Sequence, residues 1–132
     1  KLKLNYAEAE QMFKRMIFNV IARNCDDHTK NFAFLMDKTG KWKLSPAYDI
    51  CFAYRPGSVW VSQHNLSING KRKNFARQDL LQIAEQNSIR YPEKIINDCI
   101  ALVKKWREYA AIYQVDAEKM TAIDNVLIKE FK

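Results

Sequence analysis

The chain has 132 residues, with 22 Lys and Arg against 15 Asp and Glu for a net charge of +7, and 48% of its side chains are apolar. That composition can bury one core and excludes a disordered, collagen-like or low-complexity chain, while three Gly and three Pro favour long helices over a many-turned β fold. The charge is spread, +4 over residues 1–69 and +3 over residues 70–132, so a solvated basic surface explains it better than one focused anion-binding face.

Cys25, Cys51 and Cys99 are an odd number at wide spacing with no CxxC pair, which points away from a disulfide framework and toward a reducing compartment. No apolar run approaches the roughly 18 residues of a membrane span, and no signal-like segment opens the chain. The expectation is a soluble, cytoplasmic protein without a membrane partner, organised as a single domain over residues 1–132. Because residue 1 is Lys, the chain is expected to be a piece of a longer protein.

In chain order, Met12, Phe13, Met16, Ile17, Val20 and Ile21 fall at helical spacing and predict an amphipathic helix over 7–23, with Asn5 as its N-cap and Glu8 completing a reciprocal cap. Residues 24–31, Asn-Cys-Asp-Asp-His-Thr-Lys-Asn, favour local side-chain-to-backbone bonds and predict a loop. Phe32–Met36 and Lys41–Leu44 around Gly40 predict a β-hairpin, which Ser45-Pro46 ends. Ser58–Val61 and Leu66–Ile68 read as short extended pieces and Asn69-Gly70 as a tight turn. A helical tail over 76–131 follows. It contains a short helix over 76–86, a long one over 93–113 and a last one from about Asp116, with Met120, Ile123, Leu127 and Ile128 turned inward.

The chemistry concentrates between residues 24 and 50. A hairpin returns the chain to its starting end, so Asp49 is expected to converge on Asn31. Phosphoryl transfer from a nucleotide needs a carboxylate to take the proton of the attacking hydroxyl and oxygen ligands to hold Mg²⁺. A carboxylate with a carboxamide is the hard-oxygen mixture that Mg²⁺ accepts, and Asn31 with Asp49 supplies it. Protein-kinase catalytic loops separate Asp from Asn by five positions, as Asp26 and Asn31 are separated here. That pattern alone is common, since Asp and Asn also serve as turn and cap residues. Asp27 would replace Asp26 as the base under a one-residue shift, although the spacing to Asn31 favours Asp26. His28 with Asp26, Asp27 or His64 lacks the HExxH or cysteine spacing of a zinc site, and Cys25 lacks the companions of a thiol nucleophile.

The longer string is sharper. Asn19, Asn24, Asp26-Asp27-His28 and Lys30-Asn31, then Leu44-Ser45-Pro46-Ala47-Tyr48-Asp49-Ile50 and Leu66-Ser67-Ile68-Asn69-Gly70-Lys71, together resemble the carboxyl-terminal part of the HipA family, the toxin kinases of bacterial type II toxin-antitoxin modules. The resemblance extends more loosely through the helical tail. It implies a mainly α fold: the helical C-lobe part of a protein-kinase-like fold, with a small β-hairpin at the active-site end. It also implies Asp26 as catalytic base, Lys30 as the neutraliser of the transferred phosphoryl group, and Asn31 and Asp49 as the ligands of Mg²⁺ and hence of ATP. His28 matches the family's DxH string in a structural role. The implied activity is transfer of the ATP γ-phosphate to a Ser or Thr hydroxyl of a protein, an aminoacyl-tRNA synthetase in the family, with inhibited translation, growth arrest and persistence as outcomes. The implied partner is a HipB-like DNA-binding antitoxin, through which DNA is met indirectly.

The departures matter equally. Tyr48-Asp49-Ile50 is not Asp-Phe-Gly, and the sequence holds no Gly-rich phosphate-covering loop and no strand Lys paired to a helix Glu. The amino-terminal lobe and the first part of the carboxyl-terminal lobe are expected to be absent, and the isolated chain is expected to be inactive. The alternative is a non-catalytic helical module that binds DNA or the antitoxin, with Lys71-Arg72-Lys73 and Arg77 as its basic run. An inactive kinase remnant would keep the same motif.

Overall fold

Asn5 opens helix α1, Tyr6–Ile21, in the computed structural model, which describes residues 4–131. The Asn5 side chain accepts the Glu8 N–H at 3.1 Å, and the Glu8 carboxylate accepts the Asn5 N–H at 3.0 Å, the reciprocal cap expected from the sequence. The other Glu8 oxygen accepts the Leu44 N–H at 2.8 Å, so the cap also ties the hairpin to the start of the helix. These bonds from Asn5 and Leu44 hold the Glu8 carboxyl below its usual value.

The inward stripe of α1 buries Phe13, Ile17, Val20 and Ile21. Each such side chain contributes about 1.5–3 kcal/mol relative to exposure, so packing outweighs intrinsic propensity in holding this helix. The stripe meets Leu80 and Ala84 of α2, Arg77–Gln86, and Ile96, Ile100 and Val103 of α3, Pro92–Lys104, in one core. Strands β1, Phe34–Met36, and β2, Trp42–Leu44, pair antiparallel with Phe34 opposite Leu44. Asp37 organises their turn by accepting the N–H groups of Thr39 and Lys41, and Gly40 takes the positive φ that the turn requires. The described residues form five α-helices and this one hairpin, a mainly α fold.

The structure corrects four expectations. The long helix expected over 93–113 is two: α3 ends at Lys104, and α4, Trp106–Ile112, begins after a break at Lys105. No Pro or Gly marks that break. It coincides with tertiary bonds that draw α4 onto α5, Ala117–Asp124, where Trp106 Nε1 donates to Met120 O at 3.0 Å and Arg107 Nε to Asp124 at 2.9 Å. The last helix stops at Asp124, and Leu127 and Ile128 reach the core from irregular chain. There the Ile128 N–H donates to Ile21 O at 3.0 Å. Ser58–Val61 is not extended but folded back, closed by a bond from the Arg55 N–H to Val61 O at 3.2 Å. Of Leu66–Ile68 only Ile68 pairs, across the Asn69-Gly70 turn with Lys71.

Asp79, in the first turn of α2, accepts both the Ala76 N–H and the Lys71 ammonium at 2.8 Å. Lys71 first, then the Ala76 N–H, holds its carboxyl below the usual 3.8. A carboxyl lowered in the folded state stabilises the fold above its ordinary value and loses that contribution as pH falls through the lower folded value. The Asp79→Asn variant is therefore expected to be less stable near neutrality and to lose less stability on acidification. Urea unfolding between about pH 5 and pH 2 checks this, and parallel acid limbs for the two proteins would contradict it.

Candidate functional site

The chain turns sharply where α1 ends. Arg23 takes a positive φ of 59°, and its guanidinium lies 4.1 Å from the centre of the Tyr54 ring. Cys25 N–H donates to Ala53 O at 2.9 Å and Ala53 N–H to Arg23 O at 3.1 Å, which stitches the polar loop to the segment that follows the hairpin. Buried Asn24 completes the stitch: its amide donates to Asn19 Oδ1 at 3.1 Å and to Asp49 O at 3.2 Å. The short 3-10 turn Thr29–Asn31 is held from the same side, because the Tyr48 hydroxyl donates to Lys30 O at 2.6 Å.

Asp49 has φ of 51°, a left-handed conformation that Asp tolerates better than most side chains. Its carboxylate accepts from Asn31 Nδ2 at 2.8 Å, and the same Nδ2 donates to Asp26 O at 3.0 Å. Asp26, Asn31 and Asp49 thus share one hydrogen-bonded junction, with Asn31 and Asp49 18 positions apart in the chain. Lys30 projects from the 3-10 turn and is exposed; among the described residues its ammonium makes no hydrogen bond or ion pair with the other three.

Asp26 and Asp27 differ in burial. The Asp26 side chain is 45% exposed, with Oδ1 at 3.9 Å from His28 Nε2 and 3.4 Å from Asn65 Nδ2. Asp27 is buried. Its Oδ1 accepts the N–H groups of Asn65 at 2.7 Å and Leu66 at 3.4 Å, and its Oδ2 meets His64 Nδ1 at 2.9 Å. One carboxylate therefore faces solvent beside the Asn31–Asp49 contact, while its neighbour anchors the 64–66 loop. The sequence does not mark His64 and Asn65 as site residues, and His64 lacks the spacing of a zinc donor. They lie 37 and 38 residues beyond Asp27, and no local pattern joins them to it.

Three other features bear on the chemistry. Burial pushes the Cys25 thiol up to about 11, which leaves it protonated and poor as a nucleophile at neutral pH. Three residues of the basic run have partners within the chain, Lys71 on Asp79, Arg72 Nε on His64 O at 2.6 Å and Arg77 on Glu93 at 2.6 Å, with the Lys71 and Glu93 side chains still about half in solvent. Asn31 and Asp49 offer hard oxygen donors, since Asn31 Oδ1 and Asp49 Oδ1 accept no hydrogen bond from the described residues. A carboxylate and a carboxamide side by side are the donor types that Mg²⁺ accepts, and the rest of its shell would have to come from waters or substrate oxygens.

The model of the HipA-like C-terminal domain matches residues 2–107, from ahead of α1 into α4, and so includes every site residue named above; residues 108–132 lie outside it. No curated protein matches the chain.

Proposed function

The chain belongs to the HipA-like C-terminal domain family, and from that premise we propose that it is the part of a serine/threonine protein kinase that carries the base and the metal-binding arm. The observation that supports this most is the single Asn31 amide bridging the Asp26 carbonyl and the Asp49 carboxylate, which keeps a solvent-facing carboxylate beside a hard-oxygen donor pair. Asp26 takes the proton of a Ser or Thr hydroxyl. The hydroxyl oxygen bonds to the γ-phosphorus of ATP as the bridging P–O bond breaks, and ADP leaves with the electron pair. Asn31 and Asp49 would hold Mg²⁺, which when bound neutralises charge on the phosphate oxygens. Lys30, exposed on its 3-10 turn, is free to swing toward the transferred group. The Asp49 backbone carbonyl accepts from the Asn24 amide and the Lys30 carbonyl of the turn from the Tyr48 hydroxyl, so the backbone under both groups is held by hydrogen bonds, which supports the preorganisation that charge stabilisation needs.

An aminoacyl-tRNA synthetase as substrate, growth arrest as outcome and a HipB-like DNA-binding antitoxin as partner belong to the same proposal and rest on the family. The phosphate-covering loop and strand Lys that a kinase requires are not in this sequence, so catalysis belongs to the complete gene product. The test is transfer of radioactive γ-phosphate to protein by that gene product as Mg²⁺ is varied. Asp49→Asn keeps the contact with Asn31 and removes the charge, and is expected to raise the half-saturating Mg²⁺ concentration at least about tenfold. Transfer that persists in a chelator, or an Asp49→Asn variant with unchanged Mg²⁺ dependence, would overturn the metal assignment. Absence of transfer with salt-steep DNA binding indifferent to Asp26 and Asp49 would favour the docking module instead.

A further inference from the structure

Asp26 sits on a loop, half in solvent, and a carboxylate so placed flips readily about its last torsion unless something holds one oxygen. The group within reach is the Asn65 amide. An amide nitrogen carries two protons, and here Nδ2 donates one to Cys25 O at 2.9 Å and directs the other at Asp26 Oδ1, 3.4 Å away. That second distance is long, as contacts to a base commonly are before substrate is bound. Among the described residues nothing bonds Asp26 Oδ2.

Asn65 is itself fixed. Its N–H reaches the buried Asp27 at 2.7 Å, and His64 and Leu66 on either side bind the same carboxylate. His64 is braced from behind by two bonds with Arg72, N–H to O at 2.8 Å and O from Nε at 2.6 Å, and its ring rests against Phe75 with centroids 5.3 Å apart. Asp27 is the anchor, and Asn65 is the group it presents to Asp26 from a rigid support.

We infer that Asn65 is a positioning residue for the Asp26 base: its amide holds Oδ1, leaving Oδ2 to receive the proton of the substrate hydroxyl. This rests on the kinase reading above. Misplacing a catalytic group by about an ångström costs on the order of a hundredfold in rate. Asn65→Ala in the complete gene product is therefore expected to lower kcat by about 10–100-fold. KM for ATP and the half-saturating Mg²⁺ concentration should stay within about twofold, because Asn65 contacts neither Asn31 nor Asp49. Asn65→Asp, of the same shape, puts an acceptor where the donor was and is expected to lower kcat at least as far. The urea unfolding midpoint is measured for both.

A kcat loss of that size in a folded variant, with the ATP and Mg²⁺ parameters kept, supports the inference. Unchanged kcat overturns it, and so do a KM for ATP that rises with the loss, or two variants that both fail to fold, either of which makes Asn65 a structural strut. Transfer that survives Asp26→Ala is a separate failure, of the kinase reading itself.

Discussion

Replacing Asp26 with alanine in the complete gene product is expected to lower phosphoryl transfer by about 10²–10⁴-fold at saturating ATP, the range that removal of a positioned general base produces. The variant should fold as the parent does. The Asp26 side chain is 45% exposed and its oxygens make two long contacts, at 3.4 and 3.9 Å, so little stability is lost with it. Exposed sites of this kind usually move stability by no more than about 0.5 kcal/mol. The measurement is steady-state transfer beside urea unfolding, and the combination carries the meaning. A large rate loss on an unchanged unfolding midpoint makes Asp26 chemical rather than structural, whereas full activity in a folded Asp26→Ala variant would place the base elsewhere.

The adjacent residue is expected to behave in the opposite way. Asp27→Ala removes the acceptor of two N–H groups and of His64 Nδ1 at once, all inside the protein. Breaking one side of a buried pair costs about 3–5 kcal/mol, mostly because the partner is left unsatisfied, and that is a large part of the 5–15 kcal/mol by which such chains are stable. Asp27→Asn should cost less, about 1–3 kcal/mol, because its carbonyl oxygen can still accept from Asn65 and Leu66 while the imidazole changes tautomer to meet the new amide. Urea midpoints ordered parent, Asp27→Asn, Asp27→Ala are the expected result. Equal midpoints for parent and Asp27→Ala would mean that the 64–66 loop is anchored by something else.

The sequence made the local parts of this architecture legible and left the non-local parts dark. Helix α1 carries its own start signal in Asn5 and Glu8 and its own apolar period, and both appear in the structure. The hairpin has a Gly turn and a Pro stop, and chain geometry alone then brings Asn31 and Asp49 together, at 2.8 Å. What was not legible depends on partners distant in the chain. Nothing near Lys105 predicts a break; the cause is Trp106 and Arg107 reaching α5. Nothing near His64 or Asn65 marks them, since their meaning comes from a carboxylate 37 and 38 residues earlier. The difference between Asp26 and Asp27 is hidden for the same reason: their spacing to Asn31 differs by one residue, whereas 45% of one side chain and 10% of the other is exposed, a contrast set by the distant 64–66 loop.

The bond from the Ile128 N–H to Ile21 O, at the last residue of α1, has a consequence in time. Closing a loop of about a hundred residues carries an entropy cost that grows with its length, and contacts distant in sequence form after local ones. The two hairpin strands are close in sequence, whereas the apolar stripe of α1 waits for α2 and α3 to cover it. The Asp27 anchor must wait for residues 64–66, and the end of α1, from which the polar loop departs, is closed off only when residue 128 arrives. The bond between Asn31 and Asp49 closes only a short loop, but the support beneath it is complete only when these distant partners have formed.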